Sequence, residues 1–215
     1  MNGVADIGRR CASERGSALI LAMAAGVLLV ALGSAIVLIS VTETAVSGSH
    51  VRGMQTAYLA DAAVVRATME LDGAGNWSDV LTGIASSSFR DGGPEGIRLA
   101  GGVSVDLSAL TLALNRSAAA GPFGLNNPRW RLFAWGPARE LVGDTVPGYL
   151  AVWVADDPDE RDGDPLIDGG AERGRGVLLM TAQAFGPGGV RRTVEVVVGR
   201  QLPLPARILT WRAVR

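Results

Sequence analysis

The pattern of apolar and polar positions changes character along the chain. From Ser17 to Val41 it reads SALILAMAAGVLLVALGSAIVLISV, 25 residues without a charge, and the uncharged run extends from Gly16 to Thr42. At about 1.5 Å per residue such a helix reaches roughly 37 Å, enough for a hydrocarbon core of about 30 Å. A helix that is apolar on every side has no wet face, so the pattern predicts a membrane span. Beyond it the period changes. Val51, Met54, Tyr58, Ala62, Val65 and Met69 recur at steps of 3, 4, 4, 3 and 4, one stripe of an amphipathic helix. Arg52, Gln55, Asp61, Arg66 and Glu70 fall mostly on other faces. Stop signals follow at Leu71-Asp72-Gly73 and Gly75-Asn76. One long helix over 17–72 is expected, with the stripe packing a globular head onto its second half.

Residues 73–128 are rich in Gly, Ser, Pro and Asn. Within them IRLAGGVSVDLSALTLAL partly alternates and predicts one or two strands joined at Gly101-Gly102. Four β-branched and aromatic runs then predict strands: Trp130–Trp135, Tyr149–Ala155, Gly176–Phe185 and Val190–Gly199, the last two joined by a turn at GPGG. The tail QLPLPARILTWRAVR runs along the surface or pairs at an edge. The expected class is α+β, the long helix packed against a C-terminal antiparallel sheet. Its parts are a leader (1–16), a transmembrane helix (17–41), an amphipathic continuation (42–72) and a β-rich head (73–215).

Charge sets the orientation. Arg9, Arg10 and Arg15 precede the span and the nearest Arg after it is Arg52, which predicts a cytoplasmic N-terminus and an exported head. A cleaved secretory signal fits less well, because the run exceeds the usual h-region of about 7–15 residues and no A-x-A site follows. The only Cys, Cys11, lies on the short side, so the exported part has no internal disulfide. Net charge is −1, and no basic stripe accompanies the aromatics of 123–153, so no nucleic-acid partner is expected. Gly26, Gly33 and Ser40 are seven apart and share a face of the span, which lets another helix approach closely.

Candidate chemistry is confined to the acidic stretch DDPDERDGDPLIDGGAERGR, 156–175. Calcium takes about six to eight oxygens on a flexible loop, and Asp157, Asp159, Asp162, Asp164 and Asp168 are candidate ligands. The EF-hand spacing is not met, since Arg161 occupies the next alternate position. The other reading of the same stretch is a solvated hairpin loop whose acids are offset by Arg161, Arg173 and Arg175. His50 is the sole histidine, which excludes a multi-histidine zinc site, and no G-x-S-x-G or Walker A motif is present. A non-enzymatic protein is expected.

Glu14-Arg15-Gly16-Ser17-Ala18-Leu19 before the apolar run, and Ala57-Tyr58-Leu59-Ala60-Asp61-Ala62-Ala63 after it, resemble the type IV pilin superfamily. The similarity is to minor pilins of PilX type and the related K-type pseudopilins of type II secretion, and it covers about residues 12–70. It implies cleavage after Gly16 by a prepilin peptidase and an N-methylated Ser17. It also implies an inner-membrane protein that joins other pilins or pseudopilins through its helix in a surface or periplasmic filament. Major pilins carry Glu at the fifth residue after the cut; Leu21 stands there, which the resemblance reads as a minor subunit that initiates or caps the filament tip. The alternative is an uncleaved single-pass envelope protein with a β-rich binding head. Residues alone do not separate a pilus from a secretion pseudopilus.

Overall fold

The computed structural model describes residues 5–100, 102–143, 146–160, 162–169, 176–201 and 204–214. The chain divides between His50 and Val51 into two compact units, and helix α1 (Ala5–Gly73) supplies part of each. In the first unit every large apolar side chain from Leu19 to Val41 is turned outward, each 53–70% exposed. The helix is long and apolar enough to cross a membrane, as its composition predicts. Two of its hydroxyls are tied to their own backbone: Ser34 donates to the Val30 carbonyl and Thr42 to the Leu38 carbonyl, each at 2.8 Å. No hydroxyl donor on these residues is left to be solvated, which is what a hydrocarbon surrounding requires.

The second unit is an α+β head. Its elements after α1 are α2 (Trp77–Thr82), β1 (Ile97–Ala100), β2 (Val103–Asp106), α3 (Leu107–Ala119), β3 (Arg131–Pro137), α4 (Arg139–Val142), β4 (Tyr149–Asp156), β5 (Val177–Phe185), β6 (Arg191–Gly199) and β7 (Arg207–Val214). Strands β3 to β7 form one antiparallel meander in chain order, and β1–β2 is a separate hairpin. Three of the four predicted strands match closely, and the tail takes the edge position as β7, paired to β6 from Thr193↔Val214 to Gly199↔Arg207. The short first prediction, Trp130–Trp135, is extended to Pro137.

Both faces of the sheet are covered in the middle. On one face Leu59, Ala60, Ala63, Val64, Ala67 and Leu71 of α1 meet Leu150, Val152, Val154, Leu178, Met180, Ala182 and Val196. On the other, Leu107 of α3 and Val105 of β2 pack with Trp135, Tyr149, Ala151, Trp153 and Phe185. Strand β4 therefore has every residue buried, and its sequence reads as an unbroken apolar run instead of an alternating one. At β7 the second covering layer has ended, and all its residues are exposed.

Two expectations need correction. The run 107–114 is the start of α3, not a strand: Asp106 caps it by accepting the Ala109 amide at 2.9 Å, and the Leu residues follow a helical period from there. The apolar stripe of α1 is also not the one that packs on the head. Val51, Met54, Tyr58, Val65 and Met69 are 43–69% exposed. The buried face carries Gly53, Thr56, Leu59, Ala60, Ala63, Val64, Ala67 and Leu71, and is dominated by small residues. Small side chains on this face let the helix pack against the sheet and come close to the turns at Gly148 and Gly186, where fit decides over side-chain bulk.

That closeness is testable at the turn between β5 and β6. A Cβ placed on Gly186 would overlap the hydroxyl of Thr56, itself buried on α1. Gly186 has an ordinary extended backbone, so space alone demands glycine there. Gly186→Val is expected to destabilise the head by about 1–3 kcal/mol, read as a lowered melting temperature in detergent; an unchanged melt would contradict the packing described.

Candidate functional site

Strand β4 ends on Asp156, which follows seven apolar residues and is only 3% exposed. The chain then turns back so that Glu160 and Asp168 approach it. One carboxylate oxygen from each of Asp156, Glu160 and Asp168 lies within 4.8 Å of the other two. The position of each is fixed by the surrounding loops. The Asn126 amide donates to the Glu160 carbonyl at 2.5 Å, and the Gly169 amide donates to Glu160 Oε1 at 3.1 Å. The Asp168 amide donates to Ser78 Oγ of α2 at 3.1 Å, and Asp168 Oδ1 accepts the Gly176 amide at 2.5 Å. Beside this cluster a cleft of about 300 Å³ is lined by Trp77, Asp168, Gly176 and Arg200 among others. The Arg200 guanidinium sits 4.5 Å from the centre of the Trp77 ring.

Burial, and then the charge of Glu160, push the Asp156 carboxyl from its ordinary 3.8 up to about 8. Asp156 Oδ1 makes no hydrogen bond among the described residues. The three carboxylates supply three of the roughly six to eight oxygens that calcium takes, and alone they are an incomplete shell.

The five acids expected to form a calcium loop are not gathered together. Of these only Asp168 belongs to the cluster. Asp157 accepts the Asp159 amide at 3.1 Å, Asp162 the Asp164 amide at 2.9 Å, and Asp164 the Leu166 amide at 3.1 Å. These are turns in which an Asp closes its own backbone two residues on, the local use of Asp that alternate spacing also produces. Asp159, Asp162 and Asp164 are exposed. Arg161, Glu172, Arg173 and Arg175 lie outside the described residues or their side chains. Sequence reasoning missed Asp156 and Glu160 as partners. The one available signal was an acid closing an otherwise apolar run, with a second acid four residues on.

A second concavity, about 660 Å³, opens between α3 and β3 and is lined by Thr111, Asn115, Leu125, Trp130 and Leu166 among others. Its polar groups are largely spent on the fold. Asn115 donates to the Trp130 carbonyl at 2.9 Å and accepts the Trp130 amide at 2.8 Å, and Trp153 donates to Thr111 Oγ1 at 2.7 Å.

The expected processing residues Gly16 and Ser17 are helical and exposed, and His50 is exposed on α1. No family model, curated protein or solved structure matches the chain.

Proposed function

We propose that this chain is a minor, pilin-like structural subunit that helps assemble or initiate the tip of a type IV pilus or a related secretion filament. One observation carries the reading: the uncharged stretch of α1, exposed on all sides, begins at the Arg15-Gly16-Ser17 junction, and α1 goes on to supply part of the core of an α+β head. A stem of this kind is stable in lipid, and it can leave the bilayer only by exchanging lipid for other apolar helices. Leu21 in place of an acid near the mature terminus fits a subunit that accepts neighbours on one side only. The head is then the part that selects partners.

The test is the mass of the mature chain. Expressed with a prepilin peptidase, it is expected to lose residues 1–16 and begin at Ser17 with one added methyl group. A chain that keeps its leader under those conditions would sink the reading. The groove beside α3 favours one other reading, a single-pass envelope protein whose head binds a ligand there. An intact leader would turn the case toward it.

A further inference from the structure

We infer that the exposed apolar stripe of α1 is the seam of a parallel, two-stranded coil formed with a second copy of this chain. The head half of α1 has two apolar faces. At about 100° per residue, Val51, Tyr58, Ala62, Val65 and Met69 centre on a direction roughly opposite to the buried residues Thr56, Leu59, Ala60, Ala63, Val64 and Ala67. Packing the head therefore leaves the stripe open.

The stripe has the spacing of a coiled coil. With Met54 at a flanking g position, steps of 7, 4, 3 and 4 from Val51 to Met69 place Val51, Tyr58 and Val65 at d positions, and Ala62 and Met69 at a positions. Gln55 is the one polar a position, a residue type that sets register in such seams at some cost in stability.

Charge selects the occupant. Asp61 falls at g, directly before Ala62, and Arg66 at e, directly after Val65. In a parallel pair the g residue of one helix faces the e residue of the other, and these two types carry opposite charges here. The symmetry makes the contact twice. Neither group is saturated within its own chain. Asp61 is half-buried with no ion-pair or hydrogen-bond partner among the described residues. Arg66 gives Nε and Nη2 to Glu70 Oε1 at 3.1 and 2.7 Å, and Nη2 also to Ser88 at 2.7 Å. Its Nη1 donates to nothing among the described residues, so Arg66 arrives held in place with donors to spare. The parallel sense rests on the membrane-anchored reading, since copies inserted through the same N-terminal span point the same way.

The experiment is disulfide trapping in membranes holding the full chain. Cys11→Ser removes the native thiol, and single cysteines are placed by Tyr58→Cys, Val65→Cys, Met69→Cys and, as a control, Leu125→Cys at an 81% exposed head position. Mild oxidation is expected to give mostly dimers at the three seam positions and none at the control. Asp61→Arg or Arg66→Asp, each added to Val65→Cys, should cut the dimer by about tenfold, and the two together should restore it. Three results would overturn the inference: a seam yield no higher than the control, a charge-swapped pair that fails to recover, or trapping to a protein of different mass. The same samples are weighed for the leader. A dimer with its leader intact leaves this inference standing and removes the pilin reading, and a clipped monomer does the reverse.

Discussion

Trp77→Ala is expected to destabilise the head by about 3–5 kcal/mol, enough to unfold a domain of ordinary stability. Trp77 opens α2 and is fully buried. Its indole donates at 2.9 Å to the Leu71 carbonyl, near the C-terminal end of α1, which also accepts the Ala74 amide at 3.2 Å, and its ring face receives Arg200. Truncation thus leaves a cavity, removes the buried indole donor from the Leu71 carbonyl, which keeps the Ala74 amide, and takes the ring from beside Arg200 in a single change. Trp77→Phe keeps most of the volume and loses the donor, so it should cost clearly less. Denaturant midpoints for the two variants in detergent would check the order, and equal midpoints would contradict the role given to packing.

The second large effect concerns pH. In the unfolded chain Asp156 titrates near 3.8, and in the head at about 8, so the folded state binds its proton more tightly. The sign follows from linkage. Below pH ~4 the group is protonated in both states and costs nothing; as pH rises toward ~8 the fold loses up to about 1.4 kcal/mol per pH unit. Asp156→Asn keeps the shape without the charge. It is expected to melt higher than the parent at pH ~8, with the difference shrinking to little at pH ~4.5. A gap that stays constant over this range would contradict the burial described for Asp156. Repeating the series in millimolar calcium adds a second answer: an unchanged slope would mean that Asp156, Glu160 and Asp168 hold no ion, whereas a bound ion would replace the proton and flatten it.

Much of this architecture was legible because its signals are periodic. The span is defined by an absence of charge, and the end of α1 by Leu71-Asp72-Gly73, where the helix does stop. Strands β4 and β5 were read nearly to their ends, because burial on both faces leaves mostly apolar runs, interrupted in β5 only by the buried Thr181 and Gln183. The failures have a common cause. On α1, Ala60, Ala63 and Ala67 form the contact with the sheet, and alanine gives a weak hydrophobic signal beside Tyr58, Val65 and Met69. The period was right and the face was wrong, because fit to the sheet outweighed side-chain size. At 107–114 the cap Asp106 was taken as part of an alternating strand. In the acidic loop, spacing alone could not separate Asp162 and Asp164, which close turns, from Asp168, which reaches back to β4. Cluster membership there depends on where the loop folds, and no local pattern encodes that.

The order of the strands has a consequence in time. Each of β4 to β7 pairs with the strand that precedes it, so the sheet can zip up from contacts close in sequence as the chain emerges. The residues of α1 that seal it, Leu59 to Leu71, are made long before their partners on β5 and β6 exist. Until those strands are made, the alanine-lined side of the helix stands without its cover. A ribosome that pauses before β5 and β6 are made would hold the molecule with both apolar sides of α1 bare, the state in which a holding chaperone has most to protect.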